Sequence, residues 1–108
     1  MLPIVLAKFP YSDKGDSKLR PCLVLAVTDF ETYSVSTLAY ISSKKPNESK
    51  PSDFELLTTK FSGLKKNSFL RLHKLFSIDT VEIQSEIGFI TDDNETKIKQ
   101  KLKVFFEL

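Results

Sequence analysis

The chain alternates short apolar segments with polar loops and changes to a helical period only near its C-terminus. The segments are rich in β-branched and aromatic residues, as strands are, and cover residues 4–9, 21–27, 35–42, 54–59, 68–77 and 87–91. Segments this short bury their apolar side chains by pairing into a sheet. The pattern therefore predicts a mainly β member of the α+β class, with a small, strongly curved antiparallel sheet.

The last twenty residues predict one helix. Thr91 is a residue type that caps helices, and the positions after it are acidic, as the helix dipole favours. The apolar side chains then recur at i, i+4, i+7 and i+8: Ile98, Leu102, Phe105 and Phe106. This spacing makes one apolar stripe, which we expect to pack on the sheet.

Length and composition indicate a single domain over residues 1–108, because 108 residues are too few for two cores. The content of 41% apolar and 28% charged residues is typical of a globular protein. We expect no membrane span and no secretory signal, and so a cytoplasmic location. The single cysteine, Cys22, excludes an internal disulfide and a cysteine-based zinc site.

Positive charge is concentrated in the middle of the chain. Residues 44–74 carry eight Lys or Arg side chains against three acidic ones, whereas the whole chain has a net charge of only +2. Such a region is either a solvated surface or a binding surface for a polyanion. Charge alone leaves both interpretations open.

Arginine is rare in this chain. Of the sixteen Lys and Arg residues, only Arg20 and Arg71 are arginines, and each lies in or beside a predicted strand. A guanidinium grips phosphate with two parallel hydrogen bonds, which lysine cannot do. His73, the only histidine, lies two residues after Arg71, so that both side chains share one face of a strand.

Four separated segments resemble the PemK/MazF family of toxins, the endoribonucleases of type II toxin–antitoxin pairs. Residues 4–13 (IVLAKFPYSD), followed by 18–25 (KLRPCLVL), are similar to the opening of the family. Residues 37–43 (TLAYISS) resemble its next strand, and 69–79 (FLRLHKLFSID) its late arginine-containing strand. Residues 88–91 (GFIT) and the helix after them fit as well.

This resemblance implies a small SH3-like antiparallel β-barrel with a C-terminal α-helix, assembled as a homodimer. It also implies sequence-specific cleavage of single-stranded RNA without metal or cofactor. In that reaction the ribose 2′-OH attacks the adjacent phosphate, leaving a 2′,3′-cyclic phosphate and a 5′-OH. A cognate antitoxin would block the RNA groove, and the toxin–antitoxin complex would bind DNA.

The resemblance also assigns the catalytic residues, position by position. Arg20 matches the arginine of the Arg-Pro motif, and Arg71 the late arginine that is catalytic in another branch of the family. Ser42 stands where a functional threonine is usual, and His73 where that branch has a catalytic aspartate. Two arginines suit the charge on a pentavalent phosphorane, and an imidazole suits proton transfer, with Ser42 as a hydrogen-bonding group.

Five further residues are expected to contact RNA: Tyr11, Lys14, Lys18, Lys44 and Lys45. Tyr11 offers an aromatic face on which a base can stack. Lys14 and Lys18 belong to the loop that covers the active site in the family, and Lys44 and Lys45 begin the basic region.

Departures from the family leave other functions open. Residues Leu2 and Pro3 replace the usual Gly-Asp or Gly-Glu pair, and His73 replaces the aspartate. One alternative is a toxin of the same fold that poisons DNA gyrase by protein contact, although that function does not require the two arginines. The other is a non-catalytic member that only binds RNA or an antitoxin.

Overall fold

The computed structural model describes residues 1–8 and 18–108. Its elements follow in the order β1 (Pro3–Lys8), β2 (Leu19–Asp29), β3 (Ser34–Ser42), β4 (Asp53–Leu56), β5 (Ser68–Asp79), β6 (Ser85–Phe89) and α1 (Asp92–Phe105). One turn of 3-10 helix, Thr80–Glu82, joins β5 to β6. All strand pairings are antiparallel, in the order β4-β5-β3-β2-β1-β6. The predicted antiparallel α+β fold with a C-terminal helix is confirmed. Among the described residues the sheet is open, with β4 and β6 as its edges, and is not closed into the barrel that the resemblance implies.

The main core lies between the sheet and α1. It consists of Ile4, Leu23, Ala39, Ile41, Leu56, Leu70, Leu72, Ile90 and Ile98. Alternate residues of a strand point to opposite faces, so Leu70 and Leu72 enter this core while Arg71 and His73 point away from it. Each fully buried leucine side chain contributes about 2 kcal/mol to folding. A second, smaller cluster contains Val5, Ala7, Cys22, Val24, Leu38 and Phe76.

A shift in strand register places His73. Ala39 of β3 pairs with Leu75 of β5, but the next residue, Tyr40, pairs with Arg71. Residues 72–74 of β5 therefore have no partner on β3, as in a β-bulge. On its other side this part of β5 extends its contacts past the start of β4, where the Leu72 backbone N–H donates to the Ser52 carbonyl at 2.8 Å. The bulge thus directs β5 towards the chain segment before β4.

Helix α1 confirms the predicted position of the helix but not the packing of its whole apolar stripe. Thr91 is the N-cap residue in extended conformation, with no side-chain cap hydrogen bond among the described residues. Ile98 is buried and Leu102 packs against the core. Phe105 and Phe106 are 37% and 49% exposed: their rings contact each other, with centroids 5.0 Å apart, and are not among the side chains that pack against the core. No helix in residues 1–8 and 18–108 is long and apolar enough to cross a membrane.

Strand β2 is longer than predicted, and its second half is not buried on both faces. Residues 21–27 are all apolar, a pattern that predicts burial on both faces of the strand, and this prediction is wrong at its end because Val27 is 51% exposed. The reason is that residues 26–29 pair with β3 alone, in a hairpin that extends away from the core. Phe30 and Tyr33 stack at its tip, with ring centroids 4.7 Å apart.

The loop between β4 and β5 is fixed where it crosses β6. Gly63 has φ of +70°, and a Cβ built on it would lie 2.1 Å from the Ile87 carbonyl oxygen. Gly88, on β6, is equally close to the backbone of Phe61 and Ser62. The Phe89 backbone N–H donates to the Phe61 carbonyl at 2.9 Å. This close crossing brings Lys65 and Lys66 of the loop towards the start of β2 and the end of β3.

Candidate functional site

Arg20 and Ser42 line one cavity of about 610 Å³. Cys22 pairs with Tyr40, so the antiparallel register brings the start of β2 and the end of β3 to the same edge of the molecule. The other lining residues are Leu6, Pro21, Tyr40, Ile41, Ser43, Lys44, Gly63, Leu64, Lys65, Lys66, Ser68 and Ile87. The cavity therefore combines apolar side chains with four cationic ones, a composition suited to a base and its phosphate.

A second cavity, of about 250 Å³, adjoins the first. It is lined by Ser42, Lys44, Lys45, Pro46, Asn47, Glu48 and Arg71. Ser42 and Lys44 line both cavities, so they stand between Arg20 on one side and Arg71 on the other. The Ser42 Oγ accepts a hydrogen bond from the Lys44 backbone N–H at 3.1 Å. The Ser42 hydroxyl hydrogen can therefore be donated to an acceptor in either cavity.

Arg71 is held by a buried carboxylate. Its Nε lies 2.6 Å from Oδ1 of Asp53, with the Arg71 side chain 21% and the Asp53 side chain 4% exposed. Neither atom has a hydrogen bond of regular geometry among the described residues, so the contact is an ion pair rather than an aligned hydrogen bond. Strand pairing places Asp53 directly opposite Arg71 on β5. The carboxylate thus holds the base of the guanidinium and leaves its terminal nitrogens to other partners.

His73 uses both of its ring nitrogens. Its Nε2 lies 3.3 Å from a terminal nitrogen of Arg71, and its Nδ1 lies 2.8 Å from Oγ of Ser52. Because a guanidinium can only donate, Nε2 must accept, and the ring proton must be on Nδ1. Although His73 as a whole is exposed, partial desolvation of its ring lowers its pKa below the usual value of 6.5. The positive charges of Arg71 and Lys74 lower the pKa further, and Asp53 opposes them. Neutral imidazole, with Nε2 unprotonated, is therefore the resting form.

The structure brings most of the predicted site residues together. Arg20 lines the larger cavity, Arg71 and Lys45 the smaller, and Ser42 and Lys44 both. His73 lines neither cavity but contacts Arg71. Lys18 is exposed directly before β2 and lines neither cavity, while Tyr11 and Lys14 lie outside the described residues.

Four residues of the site were missed by the sequence analysis: Lys65, Lys66, Ser52 and Asp53. The lysines belong to the basic region, which was a signal for them. Nothing local distinguishes Ser52 and Asp53 from ordinary loop residues, because their roles arise only when β4 pairs with β5. Within residues 1–8 and 18–108, no three His, Cys, Asp or Glu side chains are grouped so as to hold a metal ion.

Comparisons with known proteins agree with the architecture. Residues 2–106 match the family described as PemK-like, MazF-like toxin of type II toxin–antitoxin system. The Mycobacterium tuberculosis toxin MazF-mt6 superposes with a TM-score of 0.74 at 18% identity, covering 98% of this chain and 97% of that one. An endoribonuclease in complex with its cognate antitoxin, from a mycobacterial species, gives 0.71 at 11% identity, covering 98% and 92%. The curated proteins include no match.

Proposed function

Because the chain belongs to the PemK-like, MazF-like toxins of type II toxin–antitoxin systems, we propose that it is an endoribonuclease that cleaves single-stranded RNA. The observation that carries this proposal is the pair of adjoining cavities, one lined by Arg20 and the other by Arg71, with Ser42 and Lys44 between them. A phosphate lying at Ser42 would have a guanidinium on each side. One of the structural neighbours is itself an endoribonuclease.

The reaction that suits these groups is attack of the ribose 2′-OH on the adjacent phosphate. The 2′-oxygen forms a bond to phosphorus, the bond to the 5′-oxygen breaks, and the products are a 2′,3′-cyclic phosphate and a 5′-OH. Negative charge builds on the non-bridging oxygens in between, and fixed cationic donors on both sides stabilise it. We assign this task to Arg20 and Arg71, with the Ser42 hydroxyl as a further donor.

Proton transfer is assigned to His73. Nε2 carries no proton in the resting ring and faces the end of Arg71, so it can accept the 2′-OH proton once the guanidinium turns to the phosphate. The lowered pKa of His73 keeps Nε2 available at neutral pH. The imidazolium that then forms lies beside Asp53, whose charge favours protonation. It returns to the neutral form when its proton passes, through solvent water, to the departing 5′-oxygen, which leaves as the 5′-OH.

The RNA path follows the basic lining of the cavities. Lys44, Lys65 and Lys66 line the larger cavity and Lys45 the smaller, at positions suited to the phosphates that flank the cleaved one. The apolar side chains of the larger cavity, including Leu64, suit an unstacked base. Lys18, Lys14 and Tyr11, near the start of β2 in the sequence, are proposed to contact the same strand of RNA.

Two protein partners belong to the proposal. The first is a cognate antitoxin, since one structural neighbour is a complex with its own. An acidic segment of such a protein would be attracted by the lysines that line the cavities. The second is another copy of this chain, because the family resemblance implies a cytoplasmic homodimer whose RNA groove lies at or beside the interface.

The proposal is tested by incubating the purified protein with single-stranded RNA in the presence of a metal chelator. We expect cleavage at a short sequence, with a 2′,3′-cyclic phosphate on one product and a 5′-OH on the other. Arg20→Ala should lower the cleavage rate by at least about 100-fold. Because Arg20 is only partly buried, its loss should change the free energy of unfolding by only about 0.5 kcal/mol.

Lys97→Ala, which removes an exposed cation from α1, is the matched control and should leave the rate unchanged. An Arg20→Ala protein that cleaves at the parent rate would remove Arg20 from the mechanism. Inhibition of DNA gyrase without RNA cleavage would identify the protein as a gyrase poison instead. RNA binding without cleavage would identify a non-catalytic member of the family.

A further inference from the structure

We propose that Ser52 and Asp53 are positioning residues for the reaction, Ser52 by fixing which nitrogen of His73 is unprotonated and Asp53 by anchoring Arg71 through Nε. This inference rests on the proposed function, because it concerns the groups assigned there to charge stabilisation and proton transfer. Neither residue touches the cavities that would hold the RNA. Both act through the side chain that they hold.

The backbone at the start of β4 is itself fixed, as a positioning element requires. The Asp53 N–H donates to the Lys50 carbonyl at 2.9 Å, and the Lys50 N–H donates to Oδ2 of Asp53 at 3.1 Å, which closes a tight turn. The Lys101 Nζ, on α1, donates to the Pro51 and Asp53 carbonyls at 3.3 and 3.1 Å. Ser52 and Asp53 are 5% and 8% exposed. The turn is therefore tied to both the sheet and the helix.

Ser52 and Arg71 together hold the tautomer of His73, and the Ser52 contact is the shorter of the two. The Ser52 hydroxyl oxygen accepts the Nδ1 proton at 2.8 Å, while Arg71 occupies the lone pair of Nε2 at 3.3 Å. The Ser52 contact also remains when Arg71 turns to a phosphate. Without it, the ring proton would exchange between the two nitrogens at that stage, as it does in free imidazole. A ring with its proton on Nε2 could not accept the 2′-OH proton there. The hydroxyl thus acts on the chemistry through the imidazole.

Asp53 binds only one nitrogen of the Arg71 guanidinium. The carboxylate holds Nε, at the base of the guanidinium, while a terminal nitrogen donates to His73. A phosphate in the smaller cavity, which Arg71 lines, can attract that terminal nitrogen without breaking the ion pair. Turning it away from the ring uncovers Nε2. The arrangement therefore frees the base when the phosphate arrives.

Among residues 1–8 and 18–108, the charges that act on the His73 ring come from two strands. Arg71 and Lys74 on β5 disfavour a second ring proton, whereas Asp53 on β4 favours it. Lys50 contacts Asp53 only through its backbone, and its ammonium pairs with Glu48 at 2.7 Å. Asp53→Asn should consequently lower the pKa of His73 further, because it removes an acid that supports the imidazolium.

The test uses the fact that the chain has one histidine, so that its imidazole ¹⁵N signals in the full-length protein need no assignment. In the parent protein we expect the neutral His73 ring to carry its proton on Nδ1 and the titration of the ring to have its midpoint below 6.5. Ser52→Ala should give mixed tautomers, Ser52→Thr should restore the Nδ1–H form, and Asp53→Asn should shift the midpoint to lower pH. Ser49→Ala and Glu55→Gln, exposed changes in the same loop and strand, are the controls and should alter neither.

The cleavage assay gives the second readout. Ser52→Ala should lower kcat by about 10-fold or more with little change in KM, and Ser52→Thr should recover most of it. A parent ring with its proton on Nε2, or an unchanged tautomer in Ser52→Ala, overturns the role of Ser52. An unchanged midpoint in Asp53→Asn overturns that of Asp53. If the ring signals behave as expected but the parent protein does not cleave RNA, the proposed function fails while the two positioning contacts stand.

Discussion

At the scale of single residues, His73 connects the charge of the site to its pH dependence. Partial desolvation of the ring and its positive neighbours lower the pKa of His73, so its neutral form persists at lower pH than in a free histidine. Since the proposed base is neutral imidazole, the cleavage rate should be full above about 6.5 and fall as pH decreases through the lowered midpoint. His73→Ala should remove this inflection from a single-turnover pH–rate profile.

Arg20→Ala is the control for that profile, because it should lower the rate at every pH and keep the inflection. A profile that is flat in the parent protein, or unchanged in His73→Ala, would show that the histidine is structural.

The His73 ring also affects the stability of the fold in a defined direction. Between its lowered native pKa and 6.5, the unfolded chain binds more protons than the native one. The contribution of His73 to the free energy of unfolding is therefore present above 6.5 and lost on acidification.

At the scale of elements, the sequence predicts where the strands and the helix lie but not how far they extend. Short apolar segments rich in β-branched and aromatic residues correctly placed the six described strands, because such segments bury their side chains by pairing into a sheet. It could not show that β2 continues to Asp29, where pairing with β3 replaces burial as the reason for extension. Nor could it place the bulge at residues 72–74, which depends on contacts between distant segments.

The candidate site was likewise predicted only in part from the sequence. Arg20, Arg71 and His73 were identified because rare residue types stand out in a sequence and because they match family motifs. Ser52 and Asp53 do not stand out, since a serine and an aspartate after a proline are ordinary loop residues. Their contacts with residues about twenty positions away depend on the pairing of β4 with β5.

The crossing of the β4–β5 loop over β6 carries a prediction of its own. Gly63→Ala should destabilise the protein on the order of 3 kcal/mol, because the methyl group meets the Ile87 backbone and the residue adopts positive φ. Lys65→Ala, an exposed change in the same loop, should change the free energy of unfolding by less than about 0.5 kcal/mol. Urea unfolding of the three proteins measures both values. Equal stabilities for Gly63→Ala and the parent would show that the loop can move off β6.

At the scale of the whole molecule, the cationic side chains that line the two cavities are gathered at one edge of the molecule. The lysines and arginines that line the cavities come from β2, β5, the β3–β4 loop and the β4–β5 loop, elements spread over much of the chain. Residues 75–108 carry seven acidic and four basic side chains, so the C-terminal part does not add to this positive potential. The single sheet is what brings the dispersed cations together, and its integrity should therefore set the geometry of the site.

Cys22 offers a direct measure of that integrity. Its side chain is fully buried on β2, two residues from Arg20, and burial raises the pKa of the thiol to about 12. A thiol reagent should therefore modify the native protein at least about 10³-fold more slowly than the urea-unfolded chain, because reaction requires the sheet to open. Ser49→Cys in a Cys22→Ala background places the thiol on an exposed loop and should react at nearly the unfolded rate. Rapid modification of native Cys22 would show that β2 opens locally, and with it the strand that carries Arg20.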